Sequence, residues 1–172
     1  MKRLLIVVDY QVDFVNGSLG FNDAVKLEDG IVDKILEFKN NGDDVIFTLD
    51  THYEDYLETF EGVNLPFKHC IKNTIGHDIY GKVKELSYSH KLFEKETFGS
   101  SKLFHYLMEK EYSEVHLCGV VTNICVISNA VISKSALPNA KIVIYKDLVA
   151  SNDPVMGEKA LEIMANLHME II

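Results

Sequence analysis

The sequence predicts an α/β fold: an open parallel sheet of about six strands with helices on both faces, in three layers. Three observations carry this expectation. Short apolar runs alternate along the chain with segments of helical periodicity, the pattern of a parallel sheet covered by helices. The first run, Leu4 to Val8, is apolar at every position, as a strand buried on both faces must be. The length of 172 residues suits one domain able to bury a sizeable core. No repeat, low-complexity tract or linker divides it, so residues 1–172 are expected to form one domain.

The elements follow in order. Leu4 to Val8 is the first strand and stops at Asp9. Val15 to Asp23, with Gly17 and Gly20, reads as a loop. Residues 29 to 40 place apolar side chains at 31, 32, 35, 36 and 38, which predicts an amphipathic helix closed by Asn41-Gly42. Val45 to Leu49 is the second strand and also ends on an acid, Asp50. His77 to Leu86 reads as a short helix and Ser89 to Phe93 as the third strand. Ser101 to Glu111 is helical, with Leu103, Phe104, Leu107 and Met108 on one face. The fourth strand, Glu114 to Cys118, breaks at Gly119, and a helical pattern runs from about Asn123 to Ser135, before Pro138. Ile142 to Tyr145 is the fifth strand, and Pro154 to Leu167 a helix with proline in its first turn. Met169 to Ile172 completes the set as a short sixth strand.

Composition narrows the function. An apolar fraction of 47% and a charged fraction of 25% are those of an ordinary globular protein. Net charge is −9 with no basic cluster, which argues against nucleic acid and anionic membrane as partners. Cysteines at 70, 118 and 125 form no Cys-x-x-Cys pair, which points to a reducing cytoplasm. The N-terminal apolar run is too short for a signal core or a membrane span, so cytoplasm is the default expectation.

Chemistry in such sheets collects at the carboxyl ends of strands. Asp9 and the Cys125 segment follow strands one and four, and Lys95 follows strand three. Right-handed crossovers allow these three to meet. Cys125 falls in the expected first turn of a helix, where free N–H groups and the dipole favour a thiolate; a small buried side chain is the alternative reading. Asp50 and His52 are two apart in an extended segment and point the same way, so both can reach one ion. Glu58, Glu61 and His69 follow in an acidic loop that either completes a metal site or is simply solvated. His77 and His90 have no recognisable partners and read as surface residues.

A resemblance sharpens this. Gly119-Val120-Val121-Thr122-Asn123-Ile124-Cys125 resembles the Gly-Val-x-Thr-Asp/Asn-x-Cys segment of the isochorismatase-like cysteine hydrolases, a family that includes nicotinamidases. Asp9-Tyr10-Gln11-Val12-Asp13-Phe14 resembles its opening Asp-x-Gln-x-Asp-Phe, and Glu94 to Ser100 its lysine segment. The resemblance implies an isochorismatase-like, Rossmann-like fold and a catalytic set of Asp9 (acid/base), Lys95 and Cys125 (nucleophile). It implies an oxyanion site at the backbone of Val121 and Cys125, with a cis peptide between Val121 and Thr122. It implies site contacts from Gln11 and Phe14, and in a chain without tryptophan Phe14 and Phe67 are the candidate apolar walls for the substrate ring. Asp50, His52 and His69 match the metal ligands of the nicotinamidase branch, and Glu61 corresponds better than Glu58 to the remaining one. A divalent metal, zinc with iron or manganese as alternatives, is therefore expected. The implied activity is cysteine-dependent hydrolysis of a small amide, nicotinamide first, in a cytoplasmic homo-oligomer serving NAD salvage. Another small amide or ureido substrate, or a non-catalytic thiol-sensing module, is the alternative.

Overall fold

The computed structural model describes residues 2–172. In chain order the elements are β1 (Lys2–Val8), α1 (Val12–Val15), α2 (Asn22–Val25), α3 (Glu28–Asn40), β2 (Asp44–Asp50) and α4 (Phe60–Asn64). Then come α5 (Gly81–Ser87), β3 (Lys91–Lys95), α6 (Ser101–Met108), β4 (Tyr112–Val120), α7 (Ile127–Ala136), β5 (Lys141–Ala150), α8 (Pro154–Asn166) and β6 (Glu170–Ile171). The six strands form one parallel sheet in the order β3-β2-β1-β4-β5-β6. This is the expected open α/β sheet.

The unbroken apolar run of β1 is explained by its central place. Leu4, Ile6 and Val8 pack on one face with Leu103 and Leu107 of α6, Ala130 of α7 and Met164 of α8. Leu5 and Val7 pack on the other with Ile31, Ile35 and Phe38 of α3 and Val83 of α5. All five strand residues are fully buried, and each such side chain contributes about 1.5–3 kcal/mol. α6 and α8 start at side-chain caps. Ser100 accepts from the Leu103 N–H at 3.1 Å, and Asp153 from Met156 N–H at 3.1 Å ahead of Pro154.

Strand order creates the site. The chain moves outward from β1 to β2 and β3, then crosses to the other side of β1 with β4. The reversal opens a crevice between the carboxyl ends of β1 and β4, the place where α/β sheets bind ligands. Asp9 follows β1 and the Cys125 segment follows β4.

Several boundaries differ from expectation, for physical reasons. The 15–23 segment is not all loop: the turns of α1 and α2 anchor it through buried Phe14, Val15 and Ala24. The third strand lies two residues later than expected, so Lys95 is inside β3 and in register with Asp50 of β2. The helix expected from His77 begins only at Gly81; Ile75–His77 is a 3-10 turn. The fourth and fifth strands are longer than expected, because pairing resumes past an irregularity, Gly119 with Val149 and Val120 with Ala150.

Candidate active site and metal centre

Asp9 leaves β1 with φ +46, in the left-handed region that a short polar side chain tolerates better than most. Thr48 of β2 holds it there. The Asp9 N–H donates to the Thr48 carbonyl at 3.2 Å, and the Thr48 hydroxyl donates to Asp9 Oδ1 at 2.6 Å. The other carboxylate oxygen, Oδ2, faces Lys95 Nζ at 2.6 Å. Lys95 reaches across the end of β2 to do this, and on the way meets Asp50 Oδ1 at 3.0 Å. Its ammonium also lies 3.6 Å from Cys125 Sγ. Asp9, Lys95 and Cys125 are 0%, 5% and 4% exposed, so these charges act in a dry setting.

Cys125 does not sit in an ordinary α-helical first turn. Thr122–Val126 is a π-helical turn, and α7 begins only at Ile127. Such turns cost hydrogen-bond geometry and cluster at functional sites. Gly119, with φ +114, opens the segment; a Cβ there would lie 2.1 Å from the Val8 carbonyl oxygen. Only glycine lets β4 pass β1 so closely at this point. The cis peptide is Val120-Val121, one residue earlier than the expected Val121–Thr122 bond. Asn129 ties the turn down: its Nδ2 donates to the Cys125 carbonyl at 2.8 Å and to Phe98 O at 3.1 Å, while its Oδ1 accepts from Ser100 N–H at 3.1 Å. Asn129 is fully buried, and nothing in the mixed Ile127–Ala136 sequence set it apart from the serines and lysine around it.

The electrostatics favour a neutral thiol at rest. Burial pushes the Cys125 thiol well up; Lys95 pulls the other way, and the Asp9 and Asp50 carboxylates oppose that pull. Burial also raises Asp9, against the opposing pull of Lys95. Burial alone would discharge Lys95, yet Asp9, Cys125 and Asp50 hold it strongly protonated. A thiol beside a carboxylate of raised proton affinity is a donor beside a base.

Asp50 joins this set to a second one. One ligand atom from each of Asp50, His52, Glu61 and His69 lies within 4.8 Å of every other. His52 Nε2 is 3.0 Å and His69 Nε2 3.4 Å from Asp50 Oδ2; the same nitrogens are 3.6 and 3.7 Å from Glu61 Oε1. Tetrahedral zinc with ligand bonds of about 2.0–2.2 Å spaces its donors about 3.3–3.6 Å apart, so the residues fit such an ion. His69 Nδ1 lies 2.8 Å from the Phe67 carbonyl, which can only accept. Nδ1 is therefore the protonated nitrogen, and Nε2 is the one free to ligate. Burial disfavours charge on His69, but its bonds to Asp50 and to Phe67 raise it; a cation would displace that proton. Burial opposes ionisation of Asp50 as well, yet Lys95, His52 and His69 hold it well below the usual carboxylate range. Burial and Asp50 raise Glu61. The cluster brings two carboxylates, Asp50 and Glu61, together with two imidazoles, and Asp50 shares its one cation, Lys95, with Asp9, so a divalent ion would offset the acidic charge. Glu61 of α4 is the acid in the cluster, while Glu58 is exposed.

Local structure explains why these ligands converge. The His52 N–H donates to Cys70 O at 3.0 Å and Lys72 N–H to His52 O at 2.8 Å, so the 69–72 segment runs beside the end of β2. Asp13 Oδ2 accepts from Cys70 N–H at 2.8 Å, and Gly76 is needed because a Cβ would meet that carboxylate oxygen at 2.0 Å. Tyr56, fully buried, wedges against His52 and His69 with ring centroids at 4.6 and 5.0 Å.

A cavity of about 130 Å³ lies over Cys125, lined by Phe14, Leu19, Asp50, Glu61, Leu65, His69, Phe98, Val121, Ile124 and Asn152. That is well below the roughly 300–1,000 Å³ of drug-sized sites and suits one small ring. Through Glu61, Leu65, Phe98 and Ile124 it adjoins a wider groove of about 790 Å³.

Of the expected substrate contacts, only Phe14 lines the cavity. Phe67 is 58% exposed and lies outside the lining; Phe98 and Leu65 provide the walls it was expected to provide. Gln11 is fully buried and contacts protein instead. Its Oε1 accepts from Asp50 N–H at 2.7 Å and its Nε2 donates to Asp50 O at 2.8 Å and to His77 O at 2.9 Å. It therefore clamps the peptide of the residue that the two charged sets share. His77 is not a plain surface residue either: it is half-buried, its Nε2 lies 2.8 Å from the Thr51 hydroxyl, and burial lowers its proton affinity. His90 is likewise partly covered, with Nε2 buried.

Comparison with known proteins places this geometry. A family model described as the isochorismatase domain matches residues 3–172. A curated relative from Bacillus subtilis (strain 168), named as an uncharacterized isochorismatase family protein, PncA, is 35% identical over 178 residues, spanning 96% of each chain. Among solved structures, the chain is similar to the nicotinamidase/pyrazinamidase PncA from Bacillus subtilis, with TM-score 0.87, 32% identity and 99% of each chain covered. It is also similar to the pyrazinamidase of Pyrococcus horikoshii in complex with zinc, with TM-score 0.88, 26% identity, and 100% of this chain and 99% of that one covered. A third is the pyrazinamidase/nicotinamidase from Streptococcus mutans UA159, with TM-score 0.86, 28% identity, and 99% and 100% covered.

Proposed function

The chain belongs to the isochorismatase family and is an amide-hydrolysing enzyme, and from that premise we propose that it converts nicotinamide and water to nicotinate and ammonia through a thioester on Cys125. One observation carries the reading: a cavity sized for a single ring has Cys125 in its lining and an imidazole–carboxylate cluster on one wall. The chemistry follows from the distances. Asp9 accepts the Cys125 proton. Lys95, 2.6 Å from Asp9 and 3.6 Å from the sulfur, steadies the negative charge as it passes between them. The thiolate attacks the carboxamide carbon, and the carbonyl π pair moves onto oxygen, which backbone N–H groups of Val121 and Cys125 receive. Such a donor is commonly worth about 2.7–4 kcal/mol. Asp9 returns its proton to the departing nitrogen, ammonia leaves and the thioester remains. Water gives a proton to Asp9 as it adds to the thioester carbon; the thiolate departs, recovers the proton and frees the acid.

Asp50, His52, Glu61 and His69 would hold a divalent cation. When bound it supplies a Lewis acid toward which a ring nitrogen can turn. Zinc is the proposed ion, supported by the donor set and by the zinc-bound Pyrococcus relative; iron and manganese suit the same donors. Phe14, Leu65 and Phe98 wall the ring, and Gln11 positions Asp50. We further propose a single domain over residues 1–172, supported by the extent of the family match, and a place in NAD salvage in the cytoplasm. Three unpaired cysteines support the compartment. No helix among the described residues is long and apolar enough to cross a membrane. Exposed Phe60 and Val63 on α4 support a homo-oligomeric contact.

The test is ammonia release from nicotinamide by reduced, zinc-loaded protein beside Cys125→Ala. Release by the native chain alone is expected. Silence of the native chain on nicotinamide would sink the assignment.

A further inference from the structure

We propose that Asn152 selects among ring substrates, favouring aromatic carboxamides with an acceptor nitrogen on the edge remote from the metal cluster. This rests on the nicotinamidase reading above and adds to it a residue that neither the motifs nor the charged sets include.

The placement comes from strand order. The cluster sits at the carboxyl end of β2, Cys125 follows β4, and Asn152 follows β5. Neighbouring strands are about 4.8 Å apart, so β2 and β5, three places apart, are separated by about 14 Å. The cavity between them is apolar on Phe14, Leu65, Phe98 and Ile124. Its polar lining is Asp50, Glu61, His69, Cys125 and Asn152. Strand order sets the β2 cluster on the side of the crevice opposite the β5 end that carries Asn152, with the nucleophile segment after β4 between them.

The loop that carries Asn152 is fixed on either side of it. The Ser151 hydroxyl donates to Asn123 Oδ1 at 2.6 Å, which ties the loop to the π-helical turn of the nucleophile. The same hydroxyl accepts from Asp153 N–H at 3.0 Å, and the Asp153 carboxylate accepts from Met156 N–H at the start of α8 at 3.1 Å. The Asn152 carboxamide takes part in none of these bonds and borders the cavity. Asn152 is exposed at the cavity mouth, so its amide stays free to meet a ring edge while the bonds of Ser151 and Asp153 hold its backbone.

Ring chemistry turns this into a preference. With the carboxamide carbon at Cys125 and the meta nitrogen toward the cluster, nicotinamide turns a C–H to the Asn152 flank. Pyrazinamide in the same orientation turns its second nitrogen there, ortho to the carboxamide. That nitrogen can accept from Asn152 Nδ2–H, and a C–H cannot.

The experiment compares kcat/KM for pyrazinamide and nicotinamide in zinc-loaded native protein, Asn152→Ala and the isosteric Asn152→Asp. The pyrazinamide-to-nicotinamide ratio should fall about fivefold in Asn152→Ala, the worth of one neutral hydrogen bond. It should fall at least as far in Asn152→Asp, which keeps the shape and loses the donor. A loss of packing would move both substrates together and leave the ratio alone. An unchanged ratio overturns the inference and leaves the nicotinamidase reading standing. Calorimetry on Cys125→Ala, with and without Asn152→Ala, separates the two further. Failure of both amides to bind overturns both readings; binding of both with an unshifted affinity ratio overturns this one alone.

Discussion

The two ends of the sheet both carry charge, and they handle it in opposite ways. At the amino end Asp43, Asp44 and Glu114 each have their own partner near solvent. Asp43 takes Arg3 Nε at 2.8 Å and the Arg3 N–H at 3.0 Å, and Asp44 takes Lys2 at 2.7 Å and the Tyr112 hydroxyl at 2.7 Å. His116 sits between Glu114 at 2.8 Å and the Tyr145 hydroxyl at 2.8 Å. At the carboxyl end Asp9 and Asp50 share Lys95, all three nearly sealed from water. Burying charge in that ratio costs stability that better-paired or apolar residues would not cost. The contrast separates groups that close the fold from groups kept for chemistry. Neutralising the first should cost stability and spare turnover, and neutralising the second should do the reverse.

The sharpest way to break the comparison is Asp9→Asn. It removes the base and one of the acids competing for Lys95. Turnover should fall by about 10²–10⁴-fold, with thermal stability equal to or above native, read by steady-state kinetics and calorimetry. A variant that melted early and kept its kcat would place Asp9 with the structural acids.

Metal dependence comes next. Glu61→Gln should weaken zinc binding at least tenfold by competition with a chelator, and activity should fall with it. Glu58→Gln should leave both unchanged, because Glu58 lies outside the cluster. Equal effects of the two would mean that the acidic loop acts by general charge and not by ligation.

The pH profile gives a smaller and more specific effect. Asp9 must be ionised to accept the thiol proton, and burial raises its proton affinity. Activity should therefore fall as pH drops through a value above the ordinary aspartate figure of about 3.9. An acid limb at or below that figure would mean that solvent reaches Asp9.

The smallest effect belongs to the amino end. Asp43→Asn should cost about 1 kcal/mol of stability at neutral pH and leave kcat/KM unaltered. Burial works against the Asp43 carboxylate, but the Arg3 bonds hold it below its usual range. Its contribution is then present above the unfolded value of about 3.9 and is lost as pH falls through the lower folded one. The stability gap between native and variant should close over that acid window and not at neutral pH.

Much of this was legible in the chain, and the reason is physical. A run of apolar residues that stops at a polar one marks a strand end, and a parallel sheet gathers such ends in one crevice, so Asp9 and the Cys125 segment could be placed together; Lys95, in the mixed Lys91–Lys95 strand, stood out through its resemblance to the family's lysine segment. Asp50 and His52 were legible because a period of two fixes which side chains share a face. What depended on loop direction was not. Phe67 and Phe98 are equally aromatic in the sequence, yet Phe67 is mostly exposed and outside the lining, while Phe98 lines the cavity. Gln11 looked like a substrate contact because it is polar beside Asp9; its partners are 39 and 66 residues away and no local pattern shows them. The π-helical turn and the position of the cis peptide depend on how closely β4 approaches β1, which spacing alone does not encode. The lining role of Asn152 follows from β5 running on to Ala150, beyond its apolar core.

The most direct test of the central claim is rapid acid quench of zinc-loaded protein during turnover of nicotinamide, followed by intact-mass and peptide mapping. The account predicts a nicotinoyl group on Cys125 within the first turnover, with ammonia released in step and no adduct in Cys125→Ala. Nicotinate formed by Cys125→Ala at the native rate would contradict it.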